Sequence, residues 1–177
     1  MKSRMKYLLM SFPVILLLSL LVTGLPLTAH GQGNTMKDCS DFVEALAPDR
    51  TCSFATVDGD QPRVRMLAGW FVDEKGFYFQ TETPKAFYKQ LQKNPKAEVV
   101  FYNPKTRYQL RASGKVEFLN DPVLKAKVIA DRPYLKQAGV KGPDDPLLAI
   151  FRIANGEAFF WTFKDSMKED QIPRIKF

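Results

Sequence analysis

Apolar and polar residues alternate along several stretches of the chain in the rhythm of a half-buried strand, whose successive side chains point to opposite faces. Residues 51–57 read this way and are closed by Asp58-Gly59-Asp60, a hairpin signal. Residues 62–72 answer as one second strand, Asp73-Glu74-Lys75-Gly76 turns the chain again, and residues 77–81 run back as a third, predicting an antiparallel meander. Residues 98–102 and 108–119 read as two more strands, the longer with a bend or bulge at Ser113-Gly114. Residues 147–153 are expected to pair with residues 157–163 across Asn155-Gly156, a dipeptide suited to a tight turn.

Helical spacing replaces the alternation in three places. Met36, Phe42, Val43 and Leu46 recur on one face, with Asn34 or Thr35 as cap and Pro48 as stop. Pro84 opens a helix over residues 85–93 that carries Phe87, Tyr88 and Leu91 on one side and ends at Asn94-Pro95. Asp121-Pro122 starts a third helix through Ala130, and residues 139–146 form a loop. The fold expectation is therefore mostly β with short α-helices: about six antiparallel strands closing as a small barrel, because closure removes exposed strand edges. One short helix is expected to plug an end of that barrel.

The first residues bear on compartment. Lys2, Arg4 and Lys6 precede an apolar run from Tyr7 to Leu27, and Ala29-His30-Gly31 offers the small residues of a signal-peptidase site. Residues 1–31 read as a signal peptide and residues 32–177 as a single domain, exported to the periplasm or the cell exterior; a retained membrane anchor is the alternative. Removing the leader leaves 23 Lys and Arg against 19 Asp and Glu, a net charge of +4, without the basic clusters that nucleic acid requires. His30 is the one histidine and lies before the cleavage point, so imidazole acid-base chemistry and imidazole metal sites drop out. Cys39 and Cys52 have no CxxC spacing and read as buried small residues, as a bridge or as a redox pair.

No P-loop, GxGxxG, GxSxG or acidic metal cluster is present. The order of segments is more informative. Gly59-Asp60-Gln61-Pro62-Arg63-Val64-Arg65-Met66-Leu67, then Gly76-Phe77-Tyr78-Phe79-Gln80-Thr81, then Lys85, then Gln109-Leu110-Arg111-Ala112-Ser113-Gly114, and finally Phe160-Trp161, resemble the pyridoxamine 5'-phosphate oxidase-like split-barrel family. The resemblance implies a flavin mononucleotide (FMN) cofactor, two copies of which lie at the interface of a homodimer. It places Arg63, Arg65, Met66, Leu67, Gln80, Thr81, Lys85, Gln109 and Trp161 around that cofactor. Arg65 and Lys85 are assigned to the phosphate, which needs a guanidinium fork and a point charge. Thr81 adds a hydroxyl, the backbone of residues 65–67 and the amide of Gln109 meet the ring, and Trp161 walls it. Arg65 also reads as a surface charge, Lys85 as a solvated one, Gln80 and Gln109 as half-exposed strand positions, and Trp161 as plain core.

Two departures argue against the founding enzyme's reaction. Trp70 stands where the oxidase has a substrate-phosphate Lys, and the tail Ile172-Pro173-Arg174-Ile175-Lys176-Phe177 lacks its Arg-x-His motif. The expected function is a flavin-dependent oxidoreductase with an unidentified small acceptor and a pocket walled by Trp70, Phe71 and Phe160. A flavin-binding electron carrier is the alternative, and a haem-binding barrel a weaker one.

Overall fold

A computed structural model describes residues 34–177. The leader assigned to residues 1–31, with His30, lies outside the described residues. Eight strands form one antiparallel sheet: β1 (Thr51–Asp58), β2 (Gln61–Ala68), β3 (Phe71–Asp73), β4 (Gly76–Glu82), β5 (Lys96–Asn103), β6 (Tyr108–Leu119), β7 (Leu148–Trp161) and β8 (Ile175–Lys176). Their order is β2-β1-β5-β6-β7-β4-β3, with β8 added to β7. Four helices accompany them: α1 (Met36–Glu44), α2 (Ala86–Lys93), α3 (Pro122–Asp131) and α4 (Tyr134–Gln137).

The stretch expected as one strand over residues 62–72 is two. It breaks at Gly69-Trp70, so that β2 pairs with β1 while β3 pairs with β4. One short piece of chain thus supplies both ends of the sheet. No ladder joins those ends, so the barrel is split rather than closed. The seven stretches read as strands became eight strands: residues 62–72 divided, residues 147–153 and 157–163 merged into β7, and β8 was not read.

The expected hairpin at Asn155-Gly156 is absent. β7 runs through without reversing, and pairs with β6 on both sides of the dipeptide. Asn155 has φ 50°, and the β6–β7 register shifts between Ser113 and Lys115, where the sequence predicted a bulge. Asn-Gly supplies the backbone freedom of a bulge here. The bend lets β7 pair with β4 through residues 148–153 and with β8 through residues 157 and 158.

The barrel interior is aromatic. Phe54 packs edge-on against Phe79, Phe87 and Phe151 at ring separations of 5.1, 5.2 and 5.9 Å, and each such fully buried ring contributes about 1.5–3 kcal/mol. Met36, Cys39 and Val43 of α1 and Phe87 and Leu91 of α2 join the same cluster. Both cysteines are free and buried, and burial pushes each thiol up to about 12. A second cluster covers the opposite face of β4 and β7, where Trp70, Tyr78, Leu148 and Ile150 meet Val128, Ile129 and Leu135 of α3 and α4. The helix starts follow the sequence: Thr35 and Asp38 cap α1 reciprocally, and the Asp121 carboxylate accepts from the Val123 and Leu124 amides at the start of α3.

Gly156 is the tightest point of the bulge, because a Cβ there would lie 1.9 Å from the Ser113 carbonyl oxygen. Gly156→Ala should destabilise the domain by on the order of 3 kcal/mol, read as a shift in urea midpoint at constant slope. A change within about 0.5 kcal/mol, the size of an ordinary surface substitution, would contradict the continuous strand.

Candidate functional site

The break at Gly69-Trp70 leaves a slot between β2 and β4. β2 uses one edge on β1 and none on a second strand, while β3 covers β4 only as far as Tyr78. A cavity of about 360 Å³ fills the slot, lined by Arg65, Met66, Leu67 and Ala68 of β2, by Gln80, Thr81 and Glu82 of β4, and by Lys85, Phe87 and Tyr134. Six of the nine residues singled out in the sequence thus meet at one place.

Arg65 points to the interior side of the sheet, opposite Phe54, and is not the surface charge it could have been. Its Nη1 donates to the Phe54 carbonyl at 3.2 Å and to Thr56 Oγ1 at 2.7 Å, and its Nη2 donates to Gln90 Oε1 at 2.7 Å. The guanidinium lies 4.7 Å from the Phe87 ring centroid. Partial burial, with Arg63 nearby, lowers its proton affinity from the usual guanidinium value. Thr81 is buried in the cavity wall. Lys85 is the N-cap of α2, and its ammonium pairs with Glu82. That carboxylate relieves the conflict between a cation and a helix N-terminus. Glu82 Oε2, the oxygen that meets this ammonium, is buried.

Gln80 is held on both sides, donating to Tyr134 Oη at 2.9 Å and accepting from Arg132 Nη1. Arg132, which the sequence reading passed over, also donates to the Ala68 and Gly69 carbonyls and so pins the end of β2. It sits four residues after Val128, on the inward face of the helical run, where a buried cation needs partners. Gln90 was missed for the same reason: it falls between Phe87 and Leu91 on the buried face of α2, and a polar residue at core spacing was the available signal.

A second cavity, of about 550 Å³, shares Ala68 and Tyr134 with the first and adds Asp49, Arg50, Trp70, Asp131 and Arg132. Trp70 belongs to this neighbour, deeply buried, its indole donating to Asp131 at 2.9 Å. The expected aromatic wall at Phe160 is corrected: that ring packs edge-on against Phe42 of α1, and the barrel core holds it there. Phe71 stacks on Tyr78 and borders the second apolar cluster.

Three predicted residues lie elsewhere. Arg63 is beside the β1–β2 turn, 3.9 Å from Asp58 and half-exposed. Gln109 and Trp161 are cross-strand partners on β6 and β7. Register carries their row across β5 and β1 to Ala68 of β2, on the outer sheet face that also presents Val64 and Met66, 67% and 64% exposed. Among the described residues, no group of three or more His, Cys, Asp or Glu side chains is arranged to hold a metal ion.

Comparison with known proteins agrees with this architecture. The chain is similar to the pyridoxine/pyridoxamine 5'-phosphate oxidase of Azorhizobium caulinodans, 40% identical over 88 residues that span 49% of this chain and 41% of that relative. Among solved structures, a NimC/NimA family protein from Clostridium acetobutylicum superposes with a TM-score of 0.63 at 27% identity, covering 79% of this chain and 91% of its own. A pyridoxamine 5'-phosphate oxidase-related, FMN binding protein from Nostoc punctiforme superposes with a TM-score of 0.50 at 19% identity, covering 71% and 81%. The sequence pattern described as Pyridoxamine 5'-phosphate oxidase matches residues 40–162, from α1 through the end of β7, and the chain therefore belongs to that family.

Proposed function

We propose that the slot between β2 and β4 is an FMN site and that the protein is a flavin-dependent oxidoreductase acting on a small acceptor. The observation that carries this reading is the convergence of Arg65, Thr81 and Lys85 on a cavity bordered by an unpaired strand edge. Its volume lies within the range of small-molecule sites, about 300–1,000 Å³. The donor set fits the cofactor. A phosphate dianion in a partly buried site needs cations, and Arg65 and Lys85 supply them. The β2 edge at residues 65–67 offers backbone groups for the ring's polar atoms, and Gln80 an amide already held in place. Glu82 takes up part of the Lys85 charge, which leaves Arg65 the larger share.

When bound, the flavin supplies the hydride or electron transfer. The chain's own residues bind and orient it, and Tyr134 of α4 lines the slot. Gln109 and Trp161 reach the slot only from a second copy, since both lie on the outer face. A homodimer packed through that face, where Val64 and Met66 are exposed, would cover the apolar patch and complete two sites at once. The FMN binding relative and the oxidase relatives support the cofactor, and the leader read in residues 1–31 supports a site of action outside the cytoplasm.

The reaction we propose is not oxidation of vitamin B6 phosphates. Trp70 is neutral and buried in the second cluster, so it cannot replace a phosphate-binding Lys, and the loss of such a charge-assisted contact costs on the order of 2 kcal/mol. Assays with pyridoxine and pyridoxamine 5'-phosphate should give turnover far below a typical enzymatic rate of about 10 s⁻¹, and a rate near that figure would contradict the proposal.

Fluorescence titration tests the cofactor assignment. Arg65→Ala should weaken FMN binding about ten- to hundredfold, and Lys85→Ala about three- to tenfold, with riboflavin nearly indifferent to both. Variants that bind FMN as tightly as the wild type would remove the phosphate assignment.

A further inference from the structure

We propose that Gln90 is a positioning residue that sets how Arg65 presents its charge to a phosphate in the slot; the inference rests on the flavin reading above. Gln90 faces the barrel interior from α2 and is only 8% exposed. A buried amide is costly unless it is hydrogen-bonded, and this one is. Its Oε1 accepts twice, from Thr56 Oγ1 at 2.8 Å and from Arg65 Nη2 at 2.7 Å. Thr56 Oγ1 in turn accepts from Arg65 Nη1 at 2.7 Å. Arginine, threonine and glutamine therefore close a ring of three hydrogen bonds that joins β2, β1 and α2.

That ring has a direction. It grips the far end of the guanidinium, where Nη1 and Nη2 meet, while Nη1 spends its second hydrogen on the Phe54 carbonyl. Three of the five N–H groups are thereby committed. Nε–H and the other Nη2–H have no partner among the described residues, and together they form the lateral fork that matches two phosphate oxygens. The Phe87 ring 4.7 Å from the guanidinium limits its tilt. Because Arg65 lines the cavity, the clamp at one end leaves the fork as the part available to a ligand.

The neutrality of the clamp matters as much as its geometry. Thr56 and Gln90 accept hydrogen bonds without carrying charge, so Arg65 keeps a full positive charge for an anion. A carboxylate at residue 90 would meet the same two donors and cancel it. Asp58 Oδ2 lies 3.5 Å from Gln90 Nε2, on a 41% exposed side chain.

The experiment compares FMN with riboflavin, which lacks the phosphate, on the full chain in wild type, Gln90→Glu and Gln90→Met, with thermal unfolding of each ligand-free protein alongside. Gln90→Glu should raise the Kd for FMN about tenfold or more and leave that for riboflavin within about twofold. Gln90→Met, which frees Arg65 without neutralising it, should raise the FMN Kd about three- to tenfold, again with riboflavin unmoved. Equal losses for both ligands would mean a merely structural role and overturn the inference, as would an unchanged preference for FMN in both variants. A wild type that binds the two ligands equally, or neither, would instead overturn the flavin reading itself and this inference with it.

Discussion

Residues 61–73 impose the constraint on which the rest of the molecule depends: one short piece of chain forms both ends of the sheet. β2 is committed to β1 and β3 to β4, and the break between them at Gly69-Trp70 keeps the two ends from pairing. An unpaired strand edge inside a domain is a liability, because each backbone group left without a partner costs free energy on burial. Here the edge borders a cavity, and Arg132 takes the two carbonyls at its end. The slot exists because the barrel does not close.

The polar groups around the slot are tied to one another rather than to solvent. Arg65, Thr56 and Gln90 form one network, and Arg132, Gln80 and Tyr134 a second. Each spans elements that hydrophobic packing alone would leave free to slide, β2 against α2 in the first case and β4 against α4 in the second. The outer sheet face differs. It carries Val64, Met66, Tyr102 and the Gln109–Trp161 pair, next to which Glu169 and Arg174 of the C-terminal segment reach Arg111 and Phe159, whereas α3 and α4 cover the face behind β4. The exposed apolar residues of that face are where the proposed homodimer would pack.

Much of this was legible in the sequence. Alternation placed six strands, cap residues placed three helix starts, and the order of short motifs assembled six of the slot's lining residues before any coordinates. The failures share a cause. Asn155-Gly156 has the chemistry of a hairpin turn and of a bulge alike, and only pairing with β6 on both sides decides between them. Residues 62–72 contain no turn dipeptide, so nothing local shows that their two halves pair with different neighbours. Arg132 and Gln90 look like ordinary surface residues until helical spacing puts them on buried faces. Gln109 and Trp161, grouped with Arg65 by resemblance, lie within one chain on the opposite side of the sheet, from which the proposed homodimer would bring them to a partner's slot.

The central claim is that the slot holds a flavin, and the visible spectrum of the purified full-length protein tests it most directly. The account predicts an oxidised-flavin spectrum that bleaches on adding a reductant, with FMN released on denaturation at about one per chain, as one slot per chain requires. A colourless protein that takes up no flavin from excess FMN, or one with a haem spectrum, would contradict it and leave only the split barrel standing.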